Sequence, residues 1–423
     1  HKTPRRQRQM CIRDRVYGYE GYPVFSKKSI TDIFYLACAK EILKNKKLFA
    51  KFATHNAHTI SSIQYLGEGS DYEFQRLYGM GELLYQSASE ALELSSKPSI
   101  YAPIGSHKDL LPYLVRRLLE NGANSSFINR LLDPETDSAW LAENPYERLK
   151  KETKDIPVPK KIFFDRENSS GKDISEIENL EDLKSKIDNF SGLKVDAESI
   201  YAGRLDTSNT EEKAFSISNK CEIGTITLDD PIQIKKALEK DTLDEWKEIE
   251  VNERAKILNL IADDLENNPY ELIYFLINEA GKTIQNAIDE IREAVDFLRY
   301  YSSRSIELFN NTELNGPTGE DNQMSFTPKG TFLCISPWNF PVAILIGQIS
   351  AALSCGNRVI VKPSEYSSIL GYLVVKKFHD HGVPISALSL ILGDGLYGDF
   401  LTKISPLHGC LLYTSPSPRD RNV

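Results

Sequence analysis

Apolar and polar positions in the first third of the chain alternate in the manner of strands followed by helices. Residues 31–43 predict a helix, and a second predicted helix begins at Asp109 and ends at Asn121, with leucines along one face. Short apolar runs predict three strands: Lys51–Thr54, Phe74–Tyr78 and Ser99–Ile104. This alternation indicates a parallel α/β sheet or barrel, with functional groups at the carboxyl ends of the strands.

The rest of the chain predicts a connection, a helical region and a second α/β region. Residues 135–231 carry prolines, serines and many charges, which predict a linker or a partly ordered connection. Residues 231–309 have a helical pattern, in which Pro269 and Gly281 separate successive helices. From residue 331 the predicted order is βαβαβ, which is half of a doubly wound nucleotide-binding fold. Its predicted elements are strands Thr331–Ser336, Arg358–Val361 and Leu388–Leu392, a helix opened by Pro341 and a helix over Ser367–Asp380.

Composition narrows the class of protein. The 423 residues include 51 basic and 60 acidic ones, and 41% are hydrophobic. This is enough for two or three ordinary domains and excludes collagen-like, disordered and mini-protein classes. The most apolar long stretch, Phe340–Cys355, is too short for a membrane span, which needs about 18–20 residues. Six cysteines without a Cys-x-x-Cys spacing indicate neither a disulfide framework nor a zinc ribbon, and they fit a reducing cytoplasm.

The two ends differ from the body of the chain. RRQRQMCIRDR, within residues 1–15, resembles the translation of a sequencing-library adapter, and CLLYTSPSPRD, within residues 410–423, resembles its reverse complement. Without these ends, which hold eight basic and two acidic residues, the net charge changes from −9 to −15 for residues 16–409. So acidic a body is a poor candidate for binding nucleic-acid phosphates. We therefore expect both ends to be artefacts that pack against nothing, and the body to be an internal piece of a longer chain.

An arginine pair in the predicted helix 109–121 is the first candidate site. Arg116 and Arg117 lie on the side away from the leucines, and paired guanidiniums can hold a carboxylate in bidentate geometry. By spacing alone, an exposed ion pair with Glu120 is the more common explanation. His55 and His58 are weak metal-ligand candidates, because no carboxylate or cysteine cluster lies nearby in the sequence.

The first region resembles a known enzyme domain. KFATHNAHT, FQRLYGMGE and IYAPIGSHKDLLPYLVRRLLENGANSSFINR, within residues 16–134, resemble the proline dehydrogenase domain of the bifunctional proline utilisation A flavoenzymes. The resemblance implies the C-terminal half of a (β/α)8 barrel that binds FAD. It assigns Arg116 and Arg117 to the clamp on the carboxylate of proline, and Tyr101 to the proline pocket. It assigns to the flavin the consecutive residues Thr54, His55 and Asn56.

The second α/β region carries further candidates at its turns. Asn339 lies in PWNFP, between strand and helix, where a lone asparagine is commonly a cap but can also act as an oxyanion donor. Lys362 and Glu365 follow the next strand, at the edge where ribose hydroxyls bind, although a solvated loop explains them equally well. Residues 393–398 have the G-x-G-x-x-G spacing, a weak signal because they follow the third strand rather than the first.

Together with NERAKILNLIADDLE, EAGKT and IREAVDFLRYY, these segments resemble the aldehyde dehydrogenase superfamily over residues 232–409. The resemblance implies the N-terminal part of an aldehyde dehydrogenase-like, doubly wound NAD-binding fold. It assigns Asn339 to oxyanion stabilisation. It assigns to NAD the residues Ser336, Trp338, Lys362, Glu365 and Gly395, the last beneath the adenine. Because both resemblances occur in this order on one chain, the sequence is identified as a member of the proline utilisation A family.

The resemblance also implies an activity. The flavin domain would oxidise L-proline to pyrroline-5-carboxylate, and the second domain would oxidise glutamate semialdehyde to L-glutamate. The parent would pass electrons to membrane quinone and would be a homo-oligomer in the cytoplasm, peripheral at the inner membrane. The family's catalytic cysteine and general-base glutamate lie beyond residue 409, and Cys334 and Cys355 stand outside the matching motif. We therefore expect this piece to be inactive and to bind no nucleic acid. One alternative is a non-catalytic fragment with no activity of its own. Another, a DNA-binding repressor, is supported only by the basic N-terminus.

Overall fold

The computed structural model describes residues 17–22, 25–92, 94, 97–121, 143–151, 157–204, 210–240, 245–310 and 312–412. These residues fall into two compact units. The first lies within Gly21–Val158, and the second comprises Tyr17–Glu20 and the chain from Pro159 onward. The predicted artefact at residues 1–15 lies outside the described residues.

The first unit contains a parallel three-stranded sheet in the order β1-β2-β3. Its elements are helix α1 (Lys28–Lys44), strand β1 (Ala50–Ala53), α2 (Ala57–Leu66), β2 (Tyr72–Leu77), α3 (Glu82–Leu92), β3 (Ser99–Tyr101), α4 (His107–Asn121) and α5 (Pro145–Lys151). The predicted alternation of strands and helices is thus confirmed, with the ends of elements shifted by at most three residues.

Aromatic and aliphatic side chains close the core of the first unit. Phe52 of β1 and Phe74 of β2 are register partners and are 5% and 3% exposed. They pack with Ile60 and Ile63 of α2 and with Tyr85 of α3. Burial of each such side chain contributes about 1.5–3 kcal/mol relative to exposure. The packing holds β1 and β2 side by side, so that their carboxyl ends lie at the same edge.

The second unit begins with a mixed α/β region and continues into a helical layer. Its elements up to that point are α6 (Ile177–Asp188), β4 (Val195–Glu198), β5 (Thr210–Phe215), β6 (Glu222–Leu228), α7 (Pro231–Lys240), α8 (Glu245–Glu248), α9 (Val251–Asn267), α10 (Tyr270–Asn278) and α11 (Ile284–Phe309). The helical pattern predicted for residues 231–309 is confirmed. Ile261 and Leu265 on α9 are buried, and Ile257 packs against the same core.

A parallel four-stranded sheet completes the second unit, in the order β11-β10-β9-β12. The chain reaches it through β7 (Thr312–Leu314) and β8 (Asn322–Met324), then runs β9 (Thr331–Ile335), α12 (Ala343–Ser354), β10 (Arg358–Lys362), α13 (Ser368–Asp380), β11 (Leu388–Leu390), α14 (Gly395–Leu401) and β12 (Gly409–Leu412). All residues of β10 are buried, as expected for a central strand of a parallel sheet. The predicted βαβαβ order is confirmed.

The linker predicted over residues 135–231 is wrong for much of that range. Strand β4 pairs with β6 in parallel and β5 pairs with β6 in antiparallel register, and α6 precedes them. Composition was misleading because β5 lies at the sheet edge and carries its charges on exposed positions, such as Glu211 and Lys213. Charge and proline content therefore do not distinguish such an edge strand from a linker.

The expectation that residues from 410 onward pack against nothing is wrong for Cys410–Leu412. They belong to β12, which pairs with β9, and Leu411 is partly buried against the main core. The free edge of a parallel sheet can pair with any extended segment, because the hydrogen bonds between strands join backbone groups and not side chains. Within the described residues, no helix is both long and apolar enough to cross a membrane.

Candidate functional site

The first candidate site lies at the carboxyl ends of β1, β2 and β3. Thr54, His55 and Asn56 directly follow β1, and Tyr101 is the last residue of β3. The backbone N–H of Tyr78, just after β2, donates to the carbonyl of Tyr101 at 2.8 Å. The structure therefore brings the predicted flavin residues and the predicted proline-pocket tyrosine to one edge of the sheet.

His55 is a half-buried imidazole with a free nitrogen. Its ring lies against Gly81, where a Cβ would stand 2.6 Å from the imidazole Cδ2. Gly81 also has φ +69°, so two constraints favour glycine there. Among the described residues, no hydrogen-bond partner reaches the buried Nε2 of His55. Burial, with the nearby Arg76 guanidinium, lowers the pKa of His55, so the ring is neutral at pH 7.

The two neighbours of His55 have local structural tasks. The hydroxyl of Thr54 accepts from the backbone N–H of Asn56 at 3.1 Å, and Asn56 Oδ1 accepts from the N–H of His58 at 3.0 Å, which caps α2. The hydroxyl of Tyr85 donates to the Thr54 carbonyl at 2.8 Å. These bonds fix the turn after β1, so His55 is presented on a rigid backbone.

The predicted arginine clamp lies on α4. The backbones of Arg116 and Arg117 are helical, and their side chains lie outside the described atoms. On the same helix Leu111 and Leu114 are 63% and 47% exposed, so that part of the leucine face makes little core contact. The metal-ligand interpretation of the histidine pair gains no support, because the described residues contain no cluster of three potential ligands.

The second candidate site lies at the carboxyl ends of β9 and β10. Ser336 follows β9, and its N–H donates to the carbonyl of Lys362 at 3.2 Å. Its hydroxyl is buried and, within the described part of the chain, has no hydrogen-bond partner. Lys362, at the end of β10, is 4% exposed, and its Nζ lies 3.7 Å from Glu365 Oε2. Burial lowers the pKa of Lys362.

The turn from Pro337 to Pro341 follows β9 and Ser336 directly in the chain. Trp338 is 60% exposed, and Asn339 is also exposed. The helix that Pro341 was predicted to open begins at Ala343 instead.

The glycine-rich turn, residues 393–398, lies beside Lys362, because a Cβ added to Gly398 would stand 3.8 Å from Lys362 Cδ. Gly393 has φ +152°, and a Cβ there would lie 2.3 Å from Cγ of the Tyr397 ring. Asp394 caps α14, and the Tyr397 hydroxyl donates to the carbonyl of Asp229 at 2.8 Å. A Cβ added to Gly395 would meet no atom within 4 Å, so the predicted adenine contact faces open space.

Sequence reasoning missed two buried glutamates behind the second site. Glu279 accepts from the N–H groups of Ile369 and Leu370, both at 2.9 Å, at the start of α13. Glu290 accepts from the N–H groups of Val342 and Ala343, at 2.8 and 3.3 Å, at the start of α12. Each helix of the βαβαβ unit that follows β9 or β10 is thus capped by a carboxylate from the helical layer. The only indication of these contacts in the sequence is an acidic residue at a position where the helical pattern predicts burial.

Neither Cys334 nor Cys355 is part of the turn from Pro337 to Pro341. Cys334 is fully buried in β9, among the apolar side chains of the main core, and burial raises the pKa of its thiol. Cys355 ends α12. A buried, protonated thiol is a poor nucleophile.

Two family models match the chain. The proline dehydrogenase model matches residues 11–130, and the aldehyde dehydrogenase family model matches residues 206–407. The second match begins inside the stretch predicted as a linker, in keeping with the strands found there. The chain therefore combines a proline dehydrogenase region with an aldehyde dehydrogenase region.

Individual relatives match both regions at once. The bifunctional protein PutA of Escherichia coli K12 is 37% identical over 404 residues, covering 90% of this chain and 30% of the relative. A crystal structure of a Bradyrhizobium japonicum proline utilization A mutant has a TM-score of 0.81 at 36% identity, covering 96% of this chain and 39% of that one. The chain belongs to the proline utilisation A family, and it spans about 30% of the length of the E. coli relative.

A further solved structure covers part of the chain. A 1-pyrroline-5-carboxylate dehydrogenase from Thermus with bound NAD has a TM-score of 0.52 at 25% identity, covering 57% of this chain and 48% of that one.

Proposed function

We propose that this chain supplies parts of two active sites for the oxidation of L-proline to L-glutamate. The first site would oxidise proline to pyrroline-5-carboxylate, and the second would oxidise glutamate semialdehyde, its hydrolysed form. The observation that carries the proposal is the order of the two regions on one chain, each with several of its candidate residues at or just after the carboxyl ends of parallel strands. A relative that matches both regions is named as a bifunctional protein.

The first site fits a flavin. The buried Nε2 of His55 has no hydrogen-bond partner among the described residues, and Gly81 leaves the imidazole in close contact with the backbone. Bound FAD would supply hydride acceptance from proline. His55 would hold the flavin, with Thr54 and Asn56 shaping the turn, while Tyr101 would line the proline pocket. Arg116 and Arg117 would clamp the carboxylate of the substrate.

The second site fits a dinucleotide. The buried Ser336 hydroxyl has no hydrogen-bond partner in the part of the chain that the structure describes, and Lys362 and Glu365 lie together where ribose hydroxyls bind in doubly wound folds. NAD would supply hydride acceptance from the aldehyde. Trp338 and Gly395 would contact the coenzyme. The amide of Asn339 would donate to the oxyanion that forms when a nucleophile attacks the aldehyde.

The family resemblance extends the proposal to the surroundings of the enzyme. Electrons from the flavin would pass to membrane quinone, and the parent protein would be a cytoplasmic homo-oligomer, peripheral at the inner membrane. The different-class alternative is that the chain has no catalytic role.

A chimera tests the proposal. Residues 16–409 replace the matching segment of the E. coli relative, and proline-dependent dye reduction and NADH formation are both measured. We expect both activities. In the chimera, Arg116→Met or Arg117→Met should raise the KM for proline about ten- to a hundredfold, the effect of losing a charge-assisted contact, with unchanged flavin content.

Lys108→Met is the matched control, because it removes one exposed charge from the same helix. Unchanged proline kinetics in both arginine variants would rule out the clamp. A folded, flavin-loaded chimera without either activity would favour the non-catalytic alternative.

A further inference from the structure

The turn that carries Asn339 is held from outside the sheet. Among the described residues, no hydrogen bond restrains the side-chain amide of Asn339 itself, so its position depends on the backbone of the turn. One end of the turn is fixed by the hydrogen bond from the Ser336 N–H to the carbonyl of Lys362. The other end is fixed by Glu290, whose Oε1 accepts from the Val342 and Ala343 N–H groups.

Lys282 links Glu290 to the middle of the turn. Its Nζ lies 2.6 Å from Glu290 Oε2, and the two side chains are 12% and 0% exposed. The same Nζ lies 4.1 Å from the centre of the ring of Phe340, the residue that follows Asn339. A largely buried ammonium over an aromatic face is attracted electrostatically to the ring. One cation therefore contacts both the carboxylate at the helix start and the ring within the turn.

The backbone around Lys282 is itself fixed. Gly281 has φ +68°, and the N–H of Lys282 donates to the carbonyl of Leu276 at 3.0 Å. The next residue, Thr283, caps α11 by accepting from the N–H of Asn286 at 3.2 Å. Lys282 therefore projects from a closed turn rather than from a flexible loop.

We propose that Lys282 and Glu290 are positioning residues for the turn Pro337–Pro341, and through it for the amide of Asn339. This rests on the proposed function of Asn339 as an oxyanion donor. Such a donor works only when it is held in place before charge develops, because reorganisation during the reaction would cost the stabilisation it provides. A buried ion pair is often neutral for stability, so a role in fixing geometry accounts for its presence here.

The test uses the full chain without any cofactor. Glu290→Gln keeps an acceptor oxygen but removes the charge, and Lys282→Met removes the cation at similar length. In both variants we expect amide exchange at Val342 and Ala343 to accelerate about tenfold or more, as expected for loss of a charge-assisted hydrogen bond. Lys282→Arg, which keeps the charge, should restore most of the protection.

Trp338 gives a second, local readout. Trp140, which lies outside the described residues, is replaced by Phe, so that the emission comes from Trp338 in the turn and from the fully buried Trp246. The anisotropy of Trp338 should fall in Lys282→Met. Phe340→Leu, which leaves the buried pair intact, should also lower the anisotropy even if the charge variants fail to fold.

Glu279→Gln is the matched control, because it neutralises the carboxylate that caps the neighbouring helix α13. It should leave Val342, Ala343 and Trp338 unchanged. Equal effects of the Glu279 and Glu290 substitutions on Trp338 would overturn the proposal, and so would normal exchange in both charge variants. Since these readouts need no substrate, they remain decisive even if the chimera shows no activity. In an active chimera, Lys282→Met should lower kcat for NADH formation with little change in the KM for NAD.

Discussion

Replacement of Glu279 by glutamine should change how the stability of the second unit depends on pH. Glu279 is 7% exposed and is held between the helical layer and the start of α13. Burial raises its pKa from 4.5 to about 7, although the N–H groups of Ile369 and Leu370 favour the charged form. The folded protein therefore binds this proton more tightly than the unfolded chain does.

This difference in proton binding at Glu279 sets both the sign and the size of the pH effect on stability. Between pH 4.5 and 7 the folded state holds more protons at Glu279 than the unfolded state, so this group lowers stability as pH rises. The penalty is absent below the unfolded pKa and complete above the folded one. A shift of this size corresponds to roughly 3 kcal/mol as an upper bound, since one pKa unit is worth about 1.4 kcal/mol. Glu279→Gln should remove this fall of the unfolding free energy with pH. The single side-chain oxygen of the glutamine can accept from only one of the two N–H groups.

Urea unfolding between pH 4.5 and 8, followed by the fluorescence of the buried Trp246, measures the slope. The free energy of unfolding should fall less with rising pH in Glu279→Gln than in the unmodified chain, by about 2–3 kcal/mol over the range. Glu248→Gln is the control, because the Glu248 side chain is 78% exposed. Parallel pH profiles for the unmodified chain and Glu279→Gln would refute the reasoning.

Two further predictions concern the candidate sites. In urea unfolding, Gly81→Ala should destabilise the first unit by about 1–2 kcal/mol more than Gly79→Ala does. Both positions have positive φ, but only a Cβ at Gly81 would clash with His55. Equal losses of stability would mean that the imidazole moves aside freely. The chain alone, given NAD and pyrroline-5-carboxylate, should form no NADH above a vector control. The reason is that Cys334 is buried and that Asn339 acts only after a nucleophile has attacked. Turnover would mean that the catalytic residues are assigned wrongly.

Local pattern predicted the repeating parts of the fold well. The apolar run of β10 and the helix that ends before Gly382 are each set by contiguous residues, and the structure places both where expected. The region before the helical layer was mispredicted because β4 and β5 pair with β6, and a pairing partner is not visible in the composition of either strand. The same argument applies to β12, whose pairing depends on the free edge of β9.

The site was predicted only at its strand ends. Ser336 follows β9 and Lys362 ends β10, so their convergence at one edge follows from parallel pairing. Glu279 and Glu290 could not be found in this way, because their partners lie 90 and 52 residues away along the chain. A carboxylate that caps a distant helix leaves only a weak mark in the sequence: an acid at a position where the helical pattern requires burial.

The short segment EAGKT shows how these long-range contacts are encoded. Glu279 holds the start of the helix after β10, and Gly281 supplies the positive φ that turns the chain. Lys282 then reaches Glu290, which holds the start of the helix after β9, and Thr283 caps the long helix that carries Glu290. Four of five consecutive residues thus set the positions of three helices. Two of those helices directly follow the strand ends that carry the coenzyme candidates. A change at Glu279 should therefore disturb the candidates that follow β10, and a change at Lys282 those that follow β9, without touching any ligand.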